Sequence, residues 1–161
     1  MNLFQSEKFG QKFPHLRLPE RRSYAFAYHL GTILPKNGIV EVLSPGPILK
    51  SLISQVAFQK QCKVLCRDVE LKHELAQAGI LAQGGTPDVV LIESDFLTEG
   101  GVLVLPQIAQ NTSLVGICSV EKWTKSNPST HDFVPLRKIV TEVGIFSPED
   151  LKRELMLCGV F

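Results

Sequence analysis

Residues Asp88–Ile108, DVVLIESDFLTEGGVLVLPQI, decide the fold. Val89-Val90-Leu91-Ile92 is an unbroken apolar run rich in β-branched residues, the pattern of a strand buried on both faces. Polar Glu93-Ser94-Asp95 follows at once, and a short amphipathic step, Phe96–Glu99, leads into Gly100-Gly101. Ligands of α/β sheets gather outside the carboxyl ends of the strands. Glu93 and Asp95 therefore stand at the edge where a site would form.

The segments on the amino-terminal side repeat the alternation. Gly38–Leu43 reads as a first strand, Ser44-Pro45-Gly46-Pro47 as its turn, and Pro47 suits the first position of a helix. Ile48, Leu49, Leu52, Ile53 and Val56 then fall on one helical stripe. Lys63–Cys66 is a short second strand. Leu71, Leu75, Ala76 and Ala78 mark another helix, closed by Gly79. Before these, a helix is predicted over about 20–34, with Pro19 at its start and Tyr24, Ala27, Tyr28 and Leu30 facing inward. Residues 1–19 read as an arm packed by Phe4, Phe9 and Phe13.

On the carboxyl-terminal side, Gly101–Leu105 is a further apolar piece, with a short helix to Gln110. Leu114–Cys118 is another strand, and Glu121–His131 a polar loop anchored by Trp123. Leu136–Val143 fits a strand or a helix. Ser147-Pro148-Glu149-Asp150 opens a last helix, with Ser as cap, Pro in the first turn and acids near the positive end of the dipole. Strands alternating with helices imply a mostly parallel sheet covered by helices on both faces, a Rossmann-like three-layer α/β sandwich filling 20–161 as one domain.

Composition narrows the function classes. With 44% hydrophobic and 20% charged residues the chain can bury a core, and a net charge of +1 does not suit a broad nucleic-acid footprint. Arg17, Arg21 and Arg22 form the one tight basic group and read as a solvated face. The first residues lack the apolar core of a signal peptide, and no run approaches the ~18 apolar residues of a membrane span. A soluble, cytoplasmic protein is expected. Cys62, Cys66, Cys118 and Cys158 lack metal-ligand spacing, and His15, His29, His73 and His131 are scattered, so no metal and no cofactor are expected.

Three places carry candidate chemistry. Ser44–Pro47 joins a strand to a helix N-terminus, where free N–H groups favour an anion; Ser44 and Gly46 are the candidates there. After the second strand, Arg67 suits a phosphate and Asp68 a ribose hydroxyl, although an Arg–Asp surface pair accounts for both. Glu93 and Asp95 suit acid–base work if burial raises a pKa; otherwise Asp95 caps a turn and Glu93 faces solvent. Neither a GxGxxG nor a nucleophile elbow is present.

Three pieces of this sequence resemble the C-terminal domain of the translation initiation factor 2B alpha/beta/delta family, which includes methylthioribose-1-phosphate and ribose-1,5-bisphosphate isomerases. They are Leu71–Ile80, Asp88–Gly101, and His131-Asp132-Phe133-Val134-Pro135 with Ile139–Pro148. The resemblance implies a NagB-like, initiation-factor-2B-like fold and places Asp95 on the family's catalytic aspartate. The family's catalytic cysteine is replaced by Ser44-Pro45-Gly46, its glycine-bearing phosphate loop by Cys66–Glu70, and its Asn-Lys-Ile-Gly segment by Leu105–Ile108. Beyond the 20–34 helix, no counterpart of the family's helical N-terminal domain is read.

The resemblance thus implies a non-catalytic domain acting in translation regulation, in assembly as a homodimer or with related subunits, or in sensing a nucleotide or sugar phosphate. An anionic ligand would sit on Ser44, Gly46, Arg67, Glu93 and Asp95. One alternative is a sugar-phosphate isomerase using Asp95 with Glu93 or Ser44; another is a generic nucleotide-binding module with Asp68 on a ribose.

Overall fold

The computed structural model describes residues 15, 17–94, 97–98, 101–102, 114–122 and 138–157. In chain order the elements are α1 (Leu18–Ile33), β1 (Ile39–Ser44), α2 (Pro47–Gln59), β2 (Lys63–Cys66), α3 (Val69–Gln77), β3 (Val89–Glu93), β4 (Leu97–Thr98), β5 (Gly101–Val102) and β6 (Leu114–Ile117). A 3₁₀ turn (Val120–Lys122), β7 (Lys138–Thr141), β8 (Gly144–Phe146) and α4 (Pro148–Leu157) complete the set. The arm aromatics, Asp95, Trp123, His131, Cys158, the 106–110 helix and the Asp132–Pro135 motif lie outside the described residues.

Six strands form one sheet in the order β2-β1-β3-β6-β7-β8. Every pairing is parallel except the last, a β7–β8 hairpin. The four strands predicted to run parallel do so, and the expected Rossmann-like α/β architecture is the observed one. Leu136–Val143, open between strand and helix, contributes β7. The β8 return was not anticipated. Gly144 turns the chain at φ 155, and the Thr141 hydroxyl closes the turn by donating to the Gly144 carbonyl at 3.0 Å. Phe96–Glu99, expected as a step, includes β4, which pairs antiparallel with β5 in a separate ribbon.

Burial explains the apolar runs. Val89 and Leu91 of β3 join the main hydrophobic cluster with Leu49 and Ile53 of α2 and Leu71 and Leu75 of α3. Val90 and Ile92, on the opposite face by the alternation of a strand, are also buried, so both faces of β3 are covered. Helix α1 packs on α2, β7 and β8. Of the four residues expected to face inward, Leu30 is buried and Ala27 packs partly buried against the core, whereas Tyr24 and Tyr28 are exposed, a correction for the two tyrosines; Ala25, Phe26 and, just past the helix, Leu34 complete the buried face. Phe26, Leu30 and Leu34 sit four apart and form a continuous stripe; the aromatic rings of Tyr24 and Tyr28 fall beside it.

Asp88 and Glu93 bracket β3. The Asp88 carboxylate accepts the Ile39 N–H at 2.8 Å and anchors the start of β1. At the other end the β1–β3 register shifts between Val42 and Ser44, a bulge at Leu43 that redirects the chain into the Ser44–Pro47 turn.

Candidate functional site

The chain passes from β1 through α2 to β2 on one side, then returns through α3 to β3 on the other side of β1. The strand order therefore reverses between β1 and β3, and the crevice outside their carboxyl ends is the position where such sheets bind ligands. Gly46 caps α2 here with extended backbone, and Pro47 begins the helix. The first turn of α2 leaves N–H groups without helical partners.

Glu93 meets those groups. Its carboxylate accepts the Ile48 N–H at 3.1 Å and the Leu49 N–H at 2.7 Å. A carboxylate on a helix N-terminus is stabilised by both hydrogen bonds and the dipole. The approach requires glycine at position 46, because a Cβ there would collide with the Glu93 carboxylate. Glu93 is thus a cap delivered from a strand 44 and 45 residues along the chain. It does not point into solvent, as the simpler sequence reading had it.

The other predicted residues separate. Arg67 is exposed after β2 and takes no part in the cavity described below. Asp68 caps α3, accepting the Leu71 N–H at 2.9 Å. That bond, with help from Lys50, holds its carboxyl below the usual range. Its ionic partner is Lys50, at 3.6 Å, so the expected Arg67–Asp68 pair gives way to a bridge from α2 to α3. Ser44 ends β1. Asp95 lies outside the described residues, so of the five candidates the structure brings together Gly46 and Glu93.

A cavity of about 370 Å³ opens beside Glu93. Arg22, Ser23 and Phe26 of α1 line one side, and Pro47, Ile48, Ser51 and Leu52 of α2 the other. Glu93 and Ser94 form its floor at the end of β3, with Ser119 and Glu121 beyond β6. Ser94 is held by its N–H donating to the Ile117 carbonyl at 3.0 Å. Across the cavity, Arg22 donates from both Nη atoms to Glu121, at 2.6 and 3.1 Å, tying α1 to the 3₁₀ turn.

A second carboxylate organises the β6 end. Glu142, 6% exposed, accepts the Ser119 hydroxyl at 2.6 Å and the Val120 N–H at 2.7 Å. Ser119 Oγ in turn accepts the Glu121 N–H at 3.2 Å. The Thr141-Glu142-Val143-Gly144 segment, quoted above for its resemblance, thereby acquires a physical role. Thr141 closes the hairpin and Glu142 fixes the turn that carries Ser119 and Glu121.

Sequence reading missed Arg22, Ser119, Glu121 and Glu142. Arg22 was grouped with a solvated face, and its bidentate partner is 99 residues away. Glu142 gave one available signal, a lone acid closing the apolar run Ile139-Val140-Thr141. His29, half-buried on α1, donates from Nδ1 to the Thr141 carbonyl at 3.0 Å, and burial lowers its pKa despite that bond. Cys62, Cys66 and Cys118 are free thiols. Burial pushes Cys62 and Cys66 up, away from reactivity. No described helix is long and apolar enough to cross a membrane, and no metal-ligand cluster occurs among the described residues.

No protein-family model matches the chain, and no curated protein matches it in sequence. Solved structures do. The eIF2B beta subunit of Chaetomium thermophilum superposes with a TM-score of 0.70 at 15% identity, covering 86% of this chain and 57% of that one. The translation initiation factor eIF-2B of Pyrococcus horikoshii OT3 gives 0.65 at 16%, covering 80% and 65%. The tetrameric eIF2B-beta2-delta2 complex of C. thermophilum gives 0.65 at 14%, covering 88% and 61%. This chain therefore spans less than two thirds of the length of each. At these identities the likeness establishes architecture: the chain is built on the α/β fold of the eIF2B subunits.

Proposed function

We propose that this chain is a non-catalytic eIF2B-like domain that works by assembly, with a second copy of itself or with related subunits of the same fold. The observation that carries this reading is Glu93 seated on the Ile48 and Leu49 N–H groups at the strand-order reversal. A phosphorylated substrate there would have to displace an anion the chain supplies itself. The neighbouring turn, Ser44-Pro45-Gly46, offers no thiol nucleophile. Aldose–ketose isomerisation needs a paired acid and base in place, and Glu93 is committed to capping. Assembly draws support from the beta2-delta2 tetramer, whose subunits share this fold.

Two measurements test the reading. Light scattering of the purified chain should give a dimer mass, and tagged chain should retain subunits of the same fold from its source cell. A monomer at every concentration, with no such subunit retained, overturns the assembly role. Incubation with ribose-1,5-bisphosphate or methylthioribose-1-phosphate should give no turnover. Turnover lost in Asp95→Asn would instead establish an isomerase.

A further inference from the structure

Helix α1 is covered on two sides and exposed on a third. Phe26 and Leu30 join the core beside α2, and His29 reaches β7 through the Thr141 carbonyl at 3.0 Å. The third side carries Glu20, Tyr24 and Tyr28, spaced four apart and so on one stripe. The two tyrosines are 44% and 54% exposed, and Tyr28 stands edge-on to His29 with ring centroids 5.6 Å apart. Single exposed apolar residues are ordinary on a protein surface. Among the described residues, this is the one place where two exposed aromatic rings stand a helical turn apart.

The segment that leads into α1 arrives on that stripe. Arg17 caps the helix in extended backbone, at φ −68 and ψ 158. The Glu20 carboxylate accepts the Arg17 N–H at 3.3 Å and pairs with its guanidinium at 3.0 Å. The chain therefore enters beside Glu20, on the tyrosine side. The cap ends the helix there, and Pro14 breaks any helical turn run through it. Residues 1–14, outside the described residues, carry Phe4, Phe9 and Phe13, a density of phenylalanine foreign to a solvated tail. The lengths agree. Phe13 precedes Arg17 by four residues, a reach of up to about 13 Å, and Tyr24 lies about 10 Å along the helix from Arg17. Phe9 can reach about 26 Å, and Tyr28 lies about 16 Å along.

We propose that residues 1–14 of the same chain fold back along α1 and seat Phe13 and Phe9 against Tyr24 and Tyr28, so that the outer face of this helix is covered by the chain's own N-terminal segment. Tethering favours this occupant over a second copy, because the phenylalanines are held within reach of the tyrosines at every protein concentration. Contacts between subunits then fall on other faces of the domain. The proposal does not rest on the assembly reading, and light scattering and the experiment below fail independently.

The test replaces Phe13, and in a second variant Phe9, by the photoreactive residue p-benzoylphenylalanine in the full chain. After irradiation, trypsin separates either position from the peptide that carries both tyrosines, residues 23–36. A crosslink to that peptide is expected from both variants. In an equal mixture of ordinary and heavy-nitrogen-labelled chains, the crosslinked peptides should carry the same label. Tyr24→Ala combined with Tyr28→Ala should lower the yield about twofold or more, the loss expected for aromatic contacts. Both tyrosines are exposed, so this variant should keep its fold, as circular dichroism would verify. Peptides of mixed label would show that a second copy covers the face, and would overturn the proposal. So would crosslinks that land elsewhere, or nowhere, from both positions, or a yield that the tyrosine substitutions leave unchanged.

Discussion

Glu93 and Glu142 stand at the carboxyl edge of the same sheet, two strands apart, and do the same work in different surroundings. Each reaches from the end of one strand to the backbone that follows a neighbouring strand. Glu93 holds the start of α2 after β1, and Glu142 holds the 3₁₀ turn after β6. The difference is water. Glu142 is 6% exposed and its partners are a buried N–H and a hydroxyl. Glu93 is half-buried and lines a cavity. The pair teaches that acids at this edge can be clamps, and that the exposed clamp is the one a ligand can reach.

The largest effect should come from breaking the buried clamp. Glu142→Ala leaves the Val120 N–H and the Ser119 hydroxyl without their acceptor and should cost about 3 kcal/mol in denaturant unfolding, since bonds to a charged group are worth about 1.5–3 kcal/mol each. Glu93→Ala loses a helix cap whose neighbours water can reach, and should cost about 1–2 kcal/mol. A larger loss at Glu93 than at Glu142 would break the comparison.

Gly46→Ala sharpens it. The new Cβ pushes Glu93 off α2, so the substitution should cost about as much as Glu93→Ala. The double variant should cost little more than either single one, because both remove the same contact. Additive losses would show that Gly46 is required for another reason.

Smaller effects belong to α1, the helix that packs on α2, β7 and β8. Burial disfavours the charged form of His29, so its folded pKa lies below the unfolded value of 6.5. The unfolded chain then binds more protons in that window. The stability this group contributes is present above pH 6.5 and is lost as pH falls through the folded pKa. Unfolding midpoints should fall on acidification below pH 6.5, and His29→Gln should flatten that slope. A slope unchanged in His29→Gln would assign it to other groups. Arg22→Ala breaks a pair whose side chains are 33% and 49% exposed and should cost less than about 1 kcal/mol.

The order of elements was legible because Val89–Ile92 and Leu114–Cys118 are runs without a polar side chain and Ile39–Leu43 is broken only by Glu41, the mark of strands covered on both faces. The outward placement of Tyr24 and Tyr28 on α1 was not. Tyr24 and Tyr28 carry as much apolar surface as Phe26 and Leu30, and packing against α2 and β7 decides between the two faces. β8 was hidden because Gly144–Phe146 is three residues long, too short for a periodicity. Of the candidate site, Gly46 and Glu93 were found as residues but not as a pair. Their contact spans more than forty residues of chain. Arg22 and Glu121 are farther apart still, and nothing local in either segment marks the other. A pattern along the chain reveals which segments are buried, while the partners of charged groups are set by topology.

The clamp at Glu93 is tested most directly by thermal unfolding in inorganic phosphate, comparing the natural chain with Glu93→Ala. The natural chain should melt at the same temperature with and without phosphate, because the N–H groups of α2 already hold an anion. Glu93→Ala should melt lower in its absence and recover part of the loss as phosphate binds the vacated N–H groups, since a ligand bound by the folded state alone raises the midpoint. Phosphate that stabilises the natural chain, and fails to stabilise Glu93→Ala more, would contradict the account and return this edge to the phosphate-binding reading.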